Sequence, residues 1–535
     1  MRKWIILLVS GYLFPACLPD KSGQGLITYA NIEKHIVELS SDKYQGRMPM
    51  TFTESAVTGY IAGQMKEVGL EPAANGSYFQ DVPILSVSST ISPDLHFSTP
   101  EGTLDLPKMT SYVSFTRKME KELVLTDSEV IFAGFGILAP EFGRNDFEEV
   151  DIKGKTLIVF VNDPGYGTDG DYFRGNTMTY YGRWTYKFEE AARQGAKACF
   201  IIHETGPAGY GWNVVSNNGE STKLYLVPEN GYSDRCDLEG WISLESAREL
   251  FSRCGYDLDQ LKEKAKSPGF RSFPLPLQVS GWIKNSFQTG VSRNVCGLVK
   301  GSVRPEEVVV YTAHWDHLGI GTAVKGDSVY NGATDNASAV SWMLEIARAF
   351  TTGAKPERSV LFISPTGEES GLLGAEYYVS HPLFDLKKTV ACINTDVLLF
   401  AGKFNDVTLT GDGYSELDEW VKEAALAQGR YITSDPEPGN GMFFRSDHFP
   451  FVKRGIPSIF AKGYTDAAKL GPEKTREMIK QYWKTVYHSP QDEYVPQRDD
   501  LSGLMDDAVL MYSVGMKLAN TTAFPGWKEG AGWKR

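Results

Sequence analysis

The sequence predicts an α/β fold with a mixed, mostly parallel central sheet flanked by helices. From about residue 285 to 525, apolar strand-like runs alternate with helical runs, a pattern typical of a largely parallel sheet. Short strands and loops rich in Gly, Tyr and Trp dominate residues 121–284, which indicates a separate β-rich domain inserted into that fold. Because such sheets bind ligands at the carboxyl ends of their strands, we expect functional residues at that edge.

Chain length and net charge exclude some classes of protein. The chain has 535 residues, too many for one hydrophobic core, so we expect two or more domains. Its formal net charge of −13 argues against a nucleic-acid binder, because such a protein needs a basic face. We therefore expect no nucleic-acid partner.

Residues 1–17 are typical of a secretory leader. Arg2 and Lys3 precede an apolar run from Trp4 to Phe14, which is too short to span a membrane comfortably. Cys17 follows Ala16 in a pattern that resembles a bacterial lipoprotein cleavage site. The prediction is an exported protein, periplasmic, secreted or membrane-anchored, that touches the membrane only through a lipid on Cys17. The alternative is an ordinary signal peptide in which Cys17 is incidental.

Five further cysteines follow the leader: Cys199, Cys236, Cys254, Cys296 and Cys392. An odd count leaves at least one free thiol. Those at 199 and 392 lie in apolar strands and should be buried. A disulfide between the cysteines at 236 and 254 stays open, because sequence does not set their geometry.

Residues 24–120 supply the first elements of the α/β domain. Two helical patterns, at 27–42 and 53–70, precede a strand pattern at 76–89. In the inserted part, strands are predicted at 128–137, 154–163 and 196–204, with one helix at 186–196. The aromatic loops 176–187 and 205–217 either cover a cleft or pack inside the inserted domain.

The part from 285 to 525 completes the α/β domain. Its predicted strands are 306–316, 358–367, 389–399 and 455–463, and its predicted helices are 336–352, 370–380, 415–429 and 502–520. Asp335 or Asn336 is placed to cap the first of these helices.

Polar residues follow the strands of this domain. His314, Asp316 and His317 follow the first strand, Glu368 and Glu369 the second, and Asp396 the third, while Asp335 and His488 lie in loops. Each has an ordinary structural interpretation alone, such as a helix cap or a first-turn acid. Together, imidazoles and carboxylates at one sheet edge suit Zn²⁺.

The adjacent acids Glu368 and Glu369 are informative as a pair. Successive side chains leaving a strand cannot face one direction, so one can bind a metal while the other approaches a water molecule. A metal hydrolase needs this division, because the metal polarises a carbonyl and a free carboxylate transfers the proton.

Six motifs resemble, in order, those of the co-catalytic di-zinc exopeptidases, which include bacterial leucyl aminopeptidases, aminopeptidase Y and glutamate carboxypeptidase II. They are "AHWDHLG", "NGATDNASAV", "GEESGLLGAEYY", "NTDV", "RSDHFPF" and "YHSPQDE", and they cover roughly residues 300–495. Residues 121–284 resemble the protease-associated domain inserted in many members. The resemblance implies a zinc peptidase fold.

The resemblance also implies roles for individual residues. Two zinc ions would be held by His314 and Asp396, by Glu369 and His488, and by Asp335 as the bridge. Glu368 would be the general base, Tyr487 would donate to the oxyanion, and Asp316 would orient His314. His317 is expected to support a loop or a ligand rather than bind metal.

The substrate pocket is less defined. Arg445, Ser446, Asp447 and His448 are candidates to shape it or to hold a loop. Arg445 could grip a carboxylate or form a structural salt bridge.

The resemblance favours an aminopeptidase acting on peptides. Arginines in the pocket, Arg445 and Arg183, would instead favour a carboxypeptidase or dipeptidase. Glutaminyl cyclase and a non-catalytic binding protein, as in transferrin receptor, are the remaining alternatives. The full ligand set argues against both.

Overall fold

The computed structural model describes residues 25–217 and 219–535. The predicted leader and Cys17 lie outside the described residues. Before residue 92 the elements are α1 (Tyr29–Leu39), α2 (Glu54–Glu67), β1 (Glu71–Pro72) and β2 (Phe79–Ile91). The two predicted helices and the predicted strand are therefore present.

The segment from residue 94 to 266, which overlaps the predicted insert 121–284 and is called the inserted part below, is richer in secondary structure than expected. Its elements are β3 (Asp94–Thr99), β4 (Gly102–Pro107), β5 (Tyr112–Phe115), β6 (Glu122–Phe132), β7 (Leu138–Ala139), β8 (Arg144–Asn145), β9 (Thr156–Phe160), α3 (Trp184–Arg193), β10 (Ala198–His203), α4 (Thr205–Ala208), α5 (Trp212–Asn217), β11 (Lys223–Leu226), β12 (Leu238–Ser243), α6 (Leu244–Arg253) and α7 (Leu258–Lys266).

The C-terminal part alternates as predicted. Its elements are β13 (Phe273–Val299), β14 (Arg304–Thr312), β15 (Gly319–Val324), β16 (Asp327–Tyr330), α8 (Ser338–Thr352), β17 (Arg358–Ser364), α9 (Leu373–Ser380), β18 (Thr389–Asn394), β19 (Asp406–Leu409), α10 (Leu417–Ala427), β20 (Tyr431–Ser434), α11 (Phe449–Lys453), β21 (Ser458–Lys462), α12 (Gly471–Thr485) and α13 (Ser502–Asn520). The helix α8 begins at Ser338 with Ala337 at its N-cap, so neither Asp335 nor Asn336 caps it.

The central sheet has the strand order β1-β13-β17-β14-β18-β21-β19-β20. Strands β17, β14, β18 and β21 run parallel, and β13 and β19 join them antiparallel. Every residue of β17 and β18 is buried, as expected for strands covered on both faces. The predicted mixed, mostly parallel sheet is confirmed.

Helices α8 and α13 pack closely on this sheet. The Tyr311 hydroxyl of β14 donates to the Met511 carbonyl of α13 at 2.7 Å. A Cβ added at Gly515 would lie 1.7 Å from the same hydroxyl oxygen. Only glycine at 515 therefore permits this approach of helix to strand.

A second sheet forms the inserted part, in the order β4-β3-β13-β6-β9-β10-β12-β5. Its apolar core includes Leu95 and Phe97, which precede residue 121, together with Phe132 and Phe200. Strand β13 runs without interruption through residues 284 and 285 and pairs in both sheets. The predicted domain limits, and the protease-associated domain, stay predictions.

The aromatic loop 176–187 packs against the C-terminal part. The Tyr180 ring lies 4.9 Å from that of Phe449 and 5.9 Å from that of Phe444, centroid to centroid. The Arg445 guanidinium lies over the ring of Tyr210, from the other aromatic loop, 5.8 Å from the ring centroid. Both loops therefore lie where the two parts of the chain meet.

The five cysteines after the leader are free thiols in the described chain, so Cys236 and Cys254 are not paired. Burial raises the pKa of the Cys236 thiol well above its ordinary value.

Among residues 25–217 and 219–535, no helix combines the length and the apolar character needed to cross a bilayer.

Candidate metal centre

Three parallel strands deliver the candidate ligands to one edge of the sheet. Strand β14 ends at Thr312 just before His314, β17 ends at Ser364 before the glutamate pair, and β18 ends at Asn394 before Asp396. A single turn of π-helix at Ala333–Ala337 brings in Asp335. The side chains expected at this edge are therefore brought together.

The first group of donors surrounds His314. Its Nε2 lies 3.2 Å from Asp396 Oδ1 and 3.5 Å from Asp335 Oδ1. The side chains at 314 and 335 are almost completely buried, and that at 396 is 13% exposed. These three residues form a compact group that could hold one metal ion.

The second group of donors surrounds His488. Its Nε2 lies 3.3 Å from Asp335 Oδ2 and 3.0 Å from Glu369 Oε2. Asp335 thus turns one oxygen toward each histidine, His314 and His488. This arrangement is the one that a bridging carboxylate requires between two closely spaced ions.

His317 also reaches this group. Its Nδ1 lies 2.7 Å from Glu369 Oε1, and its side chain is fully buried. Together with Asp335 and Glu369 it forms a second compact group of possible donors. The "HWDH" spacing is the signal in the sequence that linked it to the site.

The pKa values of the two adjacent glutamates are shifted in opposite directions. Burial, together with Asp396 and Glu369, raises the pKa of Glu368 well above its ordinary value, and His314 opposes the shift. Burial would also raise the pKa of Glu369, but His488 and His317 outweigh it and hold that pKa well below its ordinary value. Glu368 Oε2 lies 3.8 Å from His314 Nε2.

Asp316 holds the backbone of the glutamate pair. Its carboxylate accepts hydrogen bonds from the amides of Glu368, at 3.1 Å, and Glu369, at 3.3 Å. It is the Asp316 carbonyl oxygen that lies closest to His314 Nδ1, at 3.2 Å, whereas the carboxylate is 3.8 Å away. Its contact with the glutamate amides is stronger than the predicted contact with His314.

Two positioning residues were missed by sequence reasoning. Asp492 accepts from the amides of Thr334 and Asp335, the latter at 2.9 Å, and so fixes the backbone at Asp335, the candidate bridge. It lies within the motif "YHSPQDE", of which the sequence analysis selects only Tyr487 and His488.

The other missed residue is Arg47. Its buried guanidinium donates to the carbonyls of Trp315, Asn331 and Gly332. It therefore ties the two loops that carry His314 and Asp335. No local pattern could indicate this, since the partners are more than 260 positions away.

Tyr487 stacks on the candidate ligand beside it. Its ring centroid lies 3.8 Å from that of His488 and 4.4 Å from that of Trp483. Burial raises the pKa of Tyr487 well above its ordinary value, so the phenol keeps its proton and can donate it in a hydrogen bond.

The pocket candidates divide into different environments. The Ser446 hydroxyl donates to Asp396 Oδ2 at 2.9 Å and accepts from Asn394. Asp447 is fully buried, and neither of its oxygens has a hydrogen-bond partner among the described residues. His448 packs between the rings of Phe443 and Phe460. Burial lowers its pKa to about 3, so it is a neutral core residue.

Arg445 and Arg183 lie near each other without an acidic partner. Arg445 donates to the carbonyls of Asn440, at 2.7 Å, and Ala208, at 3.3 Å. Burial, and then Arg445, lower the pKa of Arg183 to about 9. No carboxylate of the described residues lies within ion-pair distance of either guanidinium, so the salt bridge considered for Arg445 is not formed.

The donor set fits zinc. Carboxylates Asp335, Glu368, Glu369 and Asp396 are buried close together, and burying like charges without a compensating cation is costly. Imidazole nitrogens and carboxylate oxygens are zinc ligands. Asp447 adds little negative charge to this set near neutral pH, because burial raises its pKa to about 8.

Known proteins are similar to this chain in sequence. Residues 294–513 match the model of peptidase family M28. Aminopeptidase NAALADL1 of Rattus norvegicus is 31% identical over 446 residues, which cover 71% of this chain and 54% of that protein. Aminopeptidase YwaD of Bacillus subtilis is 30% identical over 213 residues, which cover 39% of this chain and 41% of that protein. The chain thus spans about half or less of the length of these relatives.

A solved structure shares the fold. The aminopeptidase from Aneurinibacillus sp. strain AM-1 aligns with a TM-score of 0.50 and 19% identity, over 94% of this chain and 97% of that one.

Proposed function

Because this chain belongs to the co-catalytic zinc exopeptidases of peptidase family M28, we propose that it is a zinc aminopeptidase, which removes N-terminal residues from peptides. One observation carries the proposal. Asp335 turns its two carboxylate oxygens toward two separate histidine–carboxylate groups, and Glu368 lies beside them.

Two zinc ions per chain are part of the proposal. His314 and Asp396 would hold one, Glu369 and His488 the other, and Asp335 both. Bound zinc polarises the scissile carbonyl and makes water more acidic. Lys462 donates to the carbonyls of Asp396 and Val397, which fixes the loop that carries one ligand.

The chain's own groups would move the proton. The Glu368 carboxylate takes a proton from the attacking water and passes it to the leaving amine. The hydrogen bond from its amide to Asp316 holds it at the site. The Tyr487 hydroxyl, which keeps its proton, donates to the oxygen that becomes negative in the transition state.

A substrate panel tests the proposal. Aminoacyl-arylamides, N-blocked peptides and dipeptides would be given to the wild type and to Glu368→Ala, before and after chelation. We expect hydrolysis of substrates with a free N-terminus, and its loss on chelation and in the variant. Equal cleavage of N-blocked and free substrates would show that the enzyme is not an aminopeptidase.

The second candidate is a dipeptidase or carboxypeptidase that recognises a free carboxylate. Arg183, which is buried, and Arg445, which is half-buried, favour it, because a guanidinium without an acidic partner can bind a carboxylate. Arg445 directly precedes Ser446, whose hydroxyl contacts Asp396, so this candidate requires that a substrate carboxylate bound at Arg445 reach the proposed zinc.

Dipeptides and their C-terminal amides distinguish the two candidates. If the arginines bind a carboxylate, Arg445→Gln should raise KM for the free dipeptide at least about tenfold, as expected for a lost charged hydrogen bond. The amide should be unaffected. Arg454→Gln, at an exposed arginine, is the control. Equal effects on both substrates would exclude carboxylate recognition.

Export and lipidation are proposed from the leader sequence. Residues 1–17 support cleavage before Cys17 and its lipidation. Labelling with a radioactive fatty acid, compared between the wild type and Cys17→Ser, tests this. Label retained in Cys17→Ser would contradict it.

A further inference from the structure

We propose that His317 is a positioning residue for Glu369, and that its Nδ1–H donates to Oε1 of that carboxylate. The donation reserves Oε2 for the metal. The inference rests on the proposed function, because it assigns Glu369 to a zinc ion.

The two oxygens of Glu369 have different partners. Oε1 lies 2.7 Å from His317 Nδ1, and Oε2 lies 3.0 Å from His488 Nε2. The same His488 nitrogen lies 3.3 Å from Oδ2 of Asp335, the proposed bridge. The carboxylate is thus divided between a donor on one side and the metal group on the other.

The distance between two side-chain atoms distinguishes a hydrogen bond between them from binding of both atoms to one metal ion. Two ligand atoms at tetrahedral angles on one zinc ion lie about 3.3 Å apart. The four proposed ligand pairs are 3.0 to 3.5 Å apart. His314 lies 3.2 Å from Asp396 and 3.5 Å from Asp335, and His488 lies 3.3 Å from Asp335 and 3.0 Å from Glu369. The His317–Glu369 contact of 2.7 Å is shorter and fits a hydrogen bond. Because a carboxylate oxygen carries no proton, Nδ1 is the donor.

The surroundings fix the His317 ring in this orientation. A Cβ at Gly332 would lie 2.7 Å from its Cγ and Cδ2, and Gly332 has φ of +56°. The His317 amide donates to the Arg47 carbonyl at 3.3 Å, and the ring meets His488 edge-on at 5.6 Å. The donor is therefore held in place before any metal binds.

One-oxygen binding has a chemical consequence. A Glu369 that chelated through both oxygens would occupy a coordination position that a catalytic zinc keeps open for water or substrate. By holding Oε1, His317 keeps that position free. Partners that orient metal ligands typically contribute 10–100-fold to metal affinity or activity, and we expect about that effect here.

The test compares two replacements at one position. In His317→Asn, the side-chain amide lies near the place of Nδ1 and can still donate, whereas His317→Phe fills the space without a donor. Zinc affinity would be measured by chelator competition on the full chain, and zinc per chain by elemental analysis. We expect His317→Phe to weaken one zinc about 10–100-fold and His317→Asn to recover most of that loss.

The control is His35→Phe. His35 is buried and its Nδ1 lies 2.7 Å from the Tyr60 hydroxyl, but it contacts none of the proposed ligands. It should retain wild-type zinc affinity even if its unfolding midpoint falls, which separates metal binding from general stability.

Three results would overturn the proposal. They are unchanged zinc affinity in His317→Phe, equal losses in the Asn and Phe variants, and a change in the coordination number of bound Co²⁺ in His317→Asn. The last two would make His317 a ligand. A wild type that binds no zinc would instead defeat the proposed function itself.

Discussion

Two adjacent acids at a strand end have carboxylates in different surroundings once the backbone between them is fixed. Asp316 accepts from the amides of both Glu368 and Glu369, which holds the turn between them. Their carboxylates then face different histidines, His314 for the first, and His317 with His488 for the second. The sequence predicts this division of the pair, but not which groups enforce it.

Isosteric amides should separate the two roles. Glu368→Gln removes the proton acceptor only, so we expect kcat to fall about 10²–10⁴-fold with zinc content unchanged. Glu369→Gln removes a proposed ligand oxygen and should lose one zinc. Elemental analysis of both variants beside steady-state kinetics makes the comparison. Equal zinc loss in both would contradict the assignment.

At the scale of elements, strongly periodic segments were predictable and the others were not. The alternating strands and helices after residue 300 follow their apolar patterns, and so do α1 and α2. Helix α12 was missed because it lies on the surface, where only Thr475 and Tyr482 are buried, and its sequence is rich in Lys and Glu. Yet this helix delivers Tyr487 and His488 to the site.

Strand β13 was missed for a different reason. It is 27 residues long, and it contains glycines at 281, 290 and 297, a residue type that is typical of turns in a sequence pattern. Its partner β2 lies about 200 positions earlier, so pairing rather than propensity makes the strand.

The contact between α13 and β14 gives a stability prediction. Gly515→Ala forces Tyr311 aside and should lower the free energy of unfolding by about 1–3 kcal/mol, as overpacking does. Adding Tyr311→Phe removes the closest oxygen and should recover part of the loss. Urea unfolding of the three variants measures it. A Gly515→Ala protein as stable as the wild type would contradict the close packing.

The contact between α1 and α2 gives a pH prediction. Burial, aided by Lys34 and Arg348, lowers the pKa of His35 to about 4, below its ordinary 6.5. Between pH 6.5 and 4 the His35 imidazole therefore binds a proton in the unfolded chain but not in the folded chain. The free energy of unfolding consequently falls as pH falls through that window. The loss should reach up to about 3 kcal/mol below pH 4.

Urea unfolding at pH 7 and at pH 4.5 measures the contribution of His35. In His35→Gln the fall in stability between these pH values should be smaller, because no imidazole remains to protonate. An identical fall in wild type and variant would assign the acid sensitivity to other groups.

At the scale of the molecule, the site joins parts of the chain that are far apart in sequence. Arg47 comes from the N-terminal part, Asp492 from the segment before α13, and the candidate ligands from loops between them. The inserted part reaches the same region, since Asn162 donates to the Gly439 carbonyl and Arg445 donates to that of Ala208. The candidate ligands could be selected from the sequence because they lie in ordered motifs, whereas these supports depend on folding.

Zinc should therefore stabilise the whole fold, not only the site. Four buried carboxylates repel one another without cations, and their loops arise from different elements. At free zinc 100-fold above its dissociation constant, one site adds about 2.7 kcal/mol to the free energy of unfolding. Chelation should lower the unfolding midpoint and added zinc should restore it, as followed by thermal unfolding. In His314→Ala the zinc-dependent increment should shrink, because one ion loses its imidazole, whereas Glu368→Gln should keep it. A wild-type unfolding midpoint that changes with neither chelator nor added zinc would show that these carboxylates are stabilised by something other than bound metal.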